Sequence, residues 1–526
     1  MSLGRSITTV GGFTLLSRIL GFVRDIVLSA VLGSGPVADA FIVAFKLPNL
    51  FRRLFAEGAF SAAFVPLFAR ELQGHGRAAA LVFARQAHAC LLLILIPFAV
   101  LLILAMPAVI SLLAPGLSDD RPTFDLAVEF GRITFPYLIF ISLASLYGGV
   151  LNSIDRFAEV AVTPVLLNIA LIGCVLGLTP FLPNSGYAAS IGVALAGLLQ
   201  WLWLLLSCRR DGVGMRLVRP RYTERVAHLV KLATPVAIGG GAQQISVMLD
   251  VIWASLLPVG SISALYYADR IAQLPLGVVG IAIGTALLPL LARQLRAGQA
   301  EAAMANQNRA IEFGLLFSLP SALALWQLAE PMIRVLFEHG HFGPADTMRA
   351  AGALAAFAIG LPPFVLVKAL TPGFFAREDT RTPLYTAIVC IVANVGLNAA
   401  FIFGTSLAQV GIALASSLTG WLNAVLLATV LLHRRQWVPD RRLVSRFVRT
   451  LVATAGMGAV LWFALTALKQ PLSHPDVTGV AALAALCVGG AVAYAILAAV
   501  LGVLKIADLR FLRRQPADAR PPADPA

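Results

Sequence analysis

Apolar residues run in blocks of about twenty along almost the whole chain, and polar residues collect in the short gaps between them. Coiled as a helix at about 1.5 Å per residue, such a block covers the ~30 Å hydrocarbon layer of a membrane. The blocks predict spans near 8–32, 37–57, 87–114, 131–153, 160–182, 187–208, 230–257, 262–290, 312–337, 350–374, 384–404, 409–432, 446–468 and 479–504. The expected fold is an all-α polytopic membrane protein with about fourteen transmembrane helices. The second span is the least regular, because Lys46, Arg52 and Arg53 interrupt it. The first is long, carries internal charge and lacks a small-residue cleavage site, so it is expected to stay in the membrane.

Composition agrees. Of 526 residues, 59% are hydrophobic and 13% charged, against about 25% charged in soluble proteins. The net charge of +14 would suggest nucleic acid, but its placement says otherwise. The gap after span six, "CRRDGVGMRLVRPRYTERVAHLVK", holds seven Lys and Arg, the gap after span twelve six, and the tail "KIADLRFLRRQPADAR" five. Alternate gaps such as "LPNSGYA", "LPVGSIS" and "GTSLAQVG" hold none. That asymmetry marks the cytoplasmic side, so both termini are expected there, and no nucleic-acid partner is expected. Cys90, Cys174, Cys208, Cys390 and Cys487 are scattered without a CxxC, which points to neither a disulfide framework nor a metal site. His339 and His341 share a short loop and read as solvated.

The chain also repeats. "RDIVLSAVLGSG" (24–35) matches "LDVIWASLLPVG" (249–260), and "FVPLFAREL" (64–72) matches "LLPLLARQL" (287–295), at offsets of 225 and 223. Six spans separate the copies, so the two halves have parallel orientation, one of the known transporter architectures. The expected organisation is an N-lobe at 1–208, a basic linker at 209–229, a C-lobe at 230–432, a terminal helix pair at 433–504 and a cytoplasmic tail at 505–526. The Pro/Ala-rich end is expected to be disordered.

The charges inside spans are unevenly placed. Spans one and two carry Arg18, Arg24, Asp25, Asp39, Lys46, Arg52, Arg53 and Glu57; span seven carries Asp250; span eight carries Asp269 and Arg270. Each such charge at a helix centre costs roughly 2.5–3.5 kcal/mol on insertion scales, so these groups should face a bundle interior or water. Because they lie in the leading spans of both repeats, they are expected to line one chamber between the halves. Its balance is positive, which suits an anionic substrate, and arginine pairs bidentately with phosphate oxygens. The alternative is internal pairing: Arg24 with Asp25 or Asp39, and Arg270 with Asp269. Prolines and glycines within spans, including Pro48, Pro235, "GGG" at 239–241, Pro275, Pro362 and Pro363, suit a bundle that bends.

"SRILGFVRD", "DAFIVAFKLPNLFRRLFAEGAFSAAFVPLFA", "ITFPYLIFISLASL", "YYADRIAQLPLGVVGIAIGTALLP" and "PGFFAREDTRTP" strongly resemble the MurJ (MviN) family of bacterial lipid II flippases. That family sits in the MOP exporter superfamily, beside MATE exporters and O-antigen flippases. The resemblance covers spans one to twelve and is most specific in spans one, two and eight. It implies two six-helix lobes in parallel pseudo-repeat, plus a C-terminal helix pair that extends a groove for an undecaprenyl tail. It implies a non-enzymatic alternating-access flippase that moves lipid II, an undecaprenyl-diphosphate-linked disaccharide-pentapeptide, from the inner to the outer leaflet for cell wall synthesis. The family's essential charges correspond to Arg18, Arg24, Asp25, Asp39, Arg52 and Arg270. Some members have a sodium site, whose positions here are Asp250, Asn394 and Asn398, with Leu414 in span twelve and Ser416 and Ser417 close by. One carboxylate instead of two leaves open whether sodium, protons or the membrane potential drives the cycle. No cofactor is implied; membrane lipids are partners, the expected state is a monomer, and association with cell wall synthesis machinery is compatible with it.

Three other readings fit the sequence less well. A drug and cation antiporter needs an acidic chamber, and this one is basic. A lipid-linked glycosyltransferase needs carboxylates over a donor site, but "SDDR" lies alone in a short loop. A scaffold would not explain buried arginines. Within the superfamily, the alternative is export of another polyprenyl-diphosphate-linked oligosaccharide.

Overall fold

The computed structural model describes residues 3–53 and 60–504 and is helical throughout, with no strand among the described residues. Glu57 and the expected tail at 505–526 lie outside the described residues. The first half contains α1 (Leu3–Leu32), α2 (Pro36–Phe51), α3 (Ser61–Leu104), α4 (Met106–Leu113), α5 (Arg121–Thr134), α6 (Tyr137–Asn152), α7 (Phe157–Ala161), α8 (Thr163–Leu178) and α9 (Ser185–Arg210). The second contains α10 (Glu224–Ser255), α11 (Ser261–Arg296), α12 (Ala300–Gln327), α13 (Ala329–Phe337), α14 (Pro344–Phe375), α15 (Arg381–Gly404) and α16 (Ala408–His433). Then come α17 (Arg441–Ala467), α18 (Lys469–Leu472) and α19 (Val477–Val500).

Ten described helical stretches are long and apolar enough to cross a membrane. The remaining expected spans coincide with α1, α2, α10 and α11, the helices that carry the charges singled out above. Three boundaries differ most from expectation. The third span's helix, α3, ends at Leu104 but starts at Ser61 rather than 87, because Arg70, Glu71, Arg77 and Arg85 break up the apolar pattern of its first half. The fourth span starts at Arg121 rather than 131, because α5 is amphipathic and its polar residues hide it from a search for apolar runs; Pro136 separates it from α6. The ninth starts at Ala300, since α12 opens with a polar segment before its apolar stretch.

Helix ends carry the internal repeat more sharply than the sequence does. α9 and α16 begin and end 223 residues apart, as do the α5–α6 stretch (Arg121 to Asn152) and α14. Turn residues repeat too. Asp155 and Glu378 have φ of 62° and 61°, and Gly212 and Arg435 have φ of 71° and 53°, again 223 apart in each pair. For three non-glycine residues to adopt this left-handed region at equivalent turns, the helix-to-helix geometry must be imposed by the fold rather than by local preference.

The same offset relates two ion pairs. Arg156, after the α6 turn, donates to the Asp211 carboxylate at 2.5 Å, just past α9. At the equivalent positions of the second half, Arg434 donates to Asp379 at 2.6 Å. The partners stand in the same places with their signs exchanged. The Thr382 hydroxyl and amide, together with Arg434, hold the Asp379 carboxyl down to about 2, so this clasp stays charged at any physiological pH.

By packing, the chain forms two compact units. The first comprises Met1–Arg270, Leu336–Ala353 and Asn398–Ile412; the second comprises Ile271–Val335, Leu354–Leu397 and Ala413–Ala526. In the first, α8 and α6 pack on α9, α2 on α5, α1 on α8, and α10 on α3. In the second, α17 packs on α12 and α19, beside a core that includes Leu287, Leu315, Val365, Phe374, Leu427 and Trp437. Glu312 of α12 accepts from Arg309, Arg446 and, at 3.4 Å, Arg442, which ties α12 to the start of α17.

Prolines inside these helices leave carbonyls without their helical donor four residues on. Neighbouring helices supply replacements. Pro48 frees the Ala44 carbonyl, which accepts from the Thr134 hydroxyl of α5 at 3.3 Å. Pro363 frees that of Ile359, which accepts from the Trp421 indole of α16 at 3.1 Å. Pro320 frees that of Leu316, which accepts from the Tyr494 hydroxyl of α19 at 2.6 Å. A buried carbonyl left unpaired costs about 1–3 kcal/mol. Tyr494→Phe should therefore lower the thermal unfolding temperature of the purified protein, and an unchanged midpoint would mean that α19 does not fasten to α12 through this bond.

Candidate functional site

The charged residues of α1 and α11 meet in the first unit. Arg24 and Asp25 are 8% and 3% exposed, so neither charge is solvated. The Arg24 fork donates through Nε and Nη2 to Asp25 Oδ1 at 3.1 and 2.7 Å, and through Nη1 to Asn168 Oδ1 of α8 at 3.1 Å. Asn168 in turn donates to the Ser17 carbonyl at 3.0 Å, which fixes its amide orientation. The Tyr266 hydroxyl of α11 donates to the same Asp25 oxygen at 3.2 Å. Arg270, one turn further along α11, lies over the Tyr266 ring at 4.8 Å, a cation–π distance. It also faces Asp269 at 4.0 Å.

A polar chain thus runs from Asn168 through Arg24, Asp25 and Tyr266 to Arg270. Its inner end is satisfied: Arg24 pairs with Asp25, one of the two pairings the sequence left open, and not with Asp39. Its outer end is not, because Arg270 Nε is buried without a hydrogen-bond partner while about a third of the side chain is exposed. The exposed part of this guanidinium can meet an anionic oxygen, since arginine pairs well with such groups. Arg18 is exposed on α1. Arg52, half-buried, donates to Asn49 at 3.2 Å.

Asp39 does something else. Its Oδ2 accepts from the Gly260 amide at 2.6 Å and its Oδ1 from the Ser263 amide at 2.8 Å, and it is 1% exposed. These N–H groups open α11 and have no helical acceptor, so Asp39 of α2 caps another helix and meets the positive end of its dipole. The neighbouring contacts form a latch. Ser34 bonds the Gly260 carbonyl at 3.0 Å and the Ser263 hydroxyl at 2.9 Å. Arg349 donates to the Val259 carbonyl at 2.9 Å. The His341 amide donates to the Ala30 carbonyl at 2.8 Å, and Tyr267 to that of Gly33 at 3.3 Å. Close approach demands glycine at Gly340, where a Cβ would stand 2.3 Å from the Ala30 oxygen and φ is 57°. The loop read as solvated thus contributes its backbone to the latch. The gaps involved (33–35, 258–260 and 338–343) contain no Lys or Arg, which puts them on the side away from the basic loops.

Asp250 of α10 has one buried carboxylate oxygen without a hydrogen-bond partner, and Lys46 of α2 is in electrostatic reach of both Asp250 and Asp269. Asn394 and Asn398 are buried on α15, one turn apart. No group of three or more His, Cys, Asp or Glu side chains placed to hold a metal occurs among the described residues. Asn168, Tyr266 and Ser263 were not singled out from the sequence. The one available signal was Asn168, an amide in the middle of the apolar stretch "TPVLLNIALIG".

A family model described as "Lipid II flippase MurJ" matches residues 28–475. A protein of Rhizobium meliloti (strain 1021) named "Probable lipid II flippase MurJ" is 46% identical over 519 residues, covering 98% of this chain and 96% of that one. Among solved structures, "Lipid II flippase MurJ, inward closed conformation" superposes with a TM-score of 0.76 at 25% identity, covering 96% of this chain and 99% of that one. An inward-facing multidrug resistance MATE family transporter of the MOP superfamily superposes with a TM-score of 0.69 over 80% of this chain and 94% of that one; at 15% identity it bears on the fold alone.

Proposed function

Because the chain belongs to the MurJ family of lipid II flippases, we propose that it carries lipid II from the inner to the outer leaflet of the bacterial cytoplasmic membrane, with both termini in the cytoplasm. Translocation makes and breaks no covalent bond, so the protein works as a transporter and not as an enzyme. The observation that carries the reading is the Asn168–Arg24–Asp25–Tyr266–Arg270 chain, which presents a guanidinium one-third exposed from a buried, braced base. Dragging a diphosphate and sugars through hydrocarbon unaided is prohibitive. Arg270 and the exposed Arg18 offer the diphosphate a charged, wet alternative, and Arg24 and Asp25 hold α1 and α11 in register beneath it. The Asp39 latch keeps the far side shut; in alternating access it must release α11 before the head group can leave. The protein acts as a monomer, with the cell wall synthesis machinery receiving its product. The deciding experiment is reconstitution in vesicles with lipid II, read by its accessibility in the outer leaflet. Absence of protein-dependent exposure would sink the reading.

For the driving force we favour the membrane potential acting on the cationic site, since one charge moved through 100 mV gains about 2.3 kcal/mol. Of the positions that the resemblance assigns to a sodium site, Asp250 alone is a carboxylate, which is weak provision for sodium. Replacing sodium by potassium at fixed potential should leave flipping unchanged. If activity collapses, and Asp250→Asn reproduces the collapse, sodium is the coupling ion and the potential-driven reading is wrong.

A further inference from the structure

The connection between α9 and α10 is irregular over residues 213–223, yet it is not a free loop. Arg77 donates to the Asp211 carbonyl, and Arg85 to that of Gly214 at 3.4 Å. Gln86 accepts from the Arg221 amide at 2.9 Å, and the Cys90 thiol reaches the Arg221 carbonyl at 3.6 Å. Val213 and Met215 are buried at 1% and 6% exposure. The segment is a strap fastened along α3 from Arg77 to Cys90.

What the strap turns outward is unusual for a cytoplasmic linker. Arg216, Arg219 and Arg221 are exposed, and among the described residues none has an ion-pair partner. Between them, Leu217 is 78% and Tyr222 71% exposed. A solvated loop has no use for a bare leucine and tyrosine among three unpaired arginines; a lipid interface uses all of them, the apolar groups entering the boundary and the guanidiniums meeting phosphates. The level fits. Arg221 and Tyr222 lie beside Cys90, and the outward apolar face of α3 begins at Leu93 and Ile94, 60% and 62% exposed, about 5 Å further along the helix.

We propose that this strap is a docking surface for anionic phospholipid head groups of the cytoplasmic leaflet, held by Arg216, Arg219 and Arg221 and seated by Leu217 and Tyr222. It requires no transport and goes beyond lipid II recognition, which uses other residues. The partner is a lipid rather than a soluble anion, because the apolar side chains would gain nothing from phosphate in water.

The test is hydrogen exchange on the full chain in nanodiscs of phosphatidylcholine, with and without phosphatidylglycerol. Amides of the strap should exchange about tenfold more slowly with phosphatidylglycerol present, each arginine near an anionic surface contributing a factor of about five at most. High salt should remove the effect, and Arg216→Gln with Arg219→Gln and Arg221→Gln should abolish it while exchange elsewhere is unaltered. Should that triple variant fail to insert, the single glutamine variants must each reduce the protection. Equal exchange in both nanodiscs overturns the proposal. So does protection by glycerophosphate or by RNA in phosphatidylcholine nanodiscs, since either would make the strap a site for a soluble polyanion.

Discussion

Arg270→Ala should cut lipid II translocation by about a hundredfold while the protein still inserts and unfolds at its usual temperature. A charge-assisted hydrogen bond contributes about 1.5–3 kcal/mol, and each 1.4 kcal/mol is a factor of ten. Arg270 is the right place to look, because removing it disturbs little else. Its neighbour Asp269 is 38% exposed at the side chain and can be solvated, and the Tyr266 ring loses only a cation above it. Arg24→Ala would be harder to read: it strands Asp25, 3% exposed, with the Tyr266 hydroxyl as its remaining donor, and breaking a buried pair costs about 3–5 kcal/mol of stability. Arg270→Lys separates charge from shape. If the fork matters, lysine rescues poorly; if charge alone matters, it rescues well. Wild-type translocation by a folded Arg270→Ala variant would remove this residue from the substrate's path.

Asp39→Ala should open the latched side. The substitution deprives the Gly260 and Ser263 amides of their acceptors in one step, at about 0.5–2 kcal/mol for a lost cap and more when the groups are buried. The closed arrangement then loses a few kcal/mol relative to an open one, enough to change a minor population into a major one. Leu28, 3% exposed and one turn below the latch on α1, is a reporter. Leu28→Cys should label slowly from outside the cell with an impermeant maleimide, and about tenfold faster when combined with Asp39→Ala. Asn at position 39 should behave like Ala, because it offers one acceptor where two are needed. Unchanged labelling would mean that the cap stabilises α11 without holding this side shut.

The spans were legible because each is decided locally, by an apolar run against the thickness of a membrane. Where a helix begins with a polar segment, as α5 and α12 do, the same criterion starts it too late. The charge-bearing spans were legible because an ionised group in an apolar run is an anomaly that demands an explanation. What each charge does was not, since that depends on partners far away in the chain. Asp39 looks like Asp25 in sequence; only the fold brings one beneath the amides of Gly260 and Ser263 and the other against Arg24. Tyr494 could not have been read at all. Its purpose is fixed by Pro320, whose missing N–H frees a carbonyl on a different helix.

The two clasps with exchanged signs bear on ancestry. If the halves descend from one duplicated segment, Arg156–Asp211 and Asp379–Arg434 began as the same pair. Changing one partner at a time from one polarity to the other passes through two like charges, or through a neutral residue that leaves the turn unfastened. An exposed pair of this kind contributes only about 0–1 kcal/mol, so lineages could cross that gap without losing the fold. The positions persisted while the chemistry occupying them was lost and rebuilt. Grafting the second half's turn alone into the first would now set Asp379's carboxylate against that of Asp211, whereas grafting turn and helix end together would not. Segments of the two halves are therefore exchangeable only in matched sets.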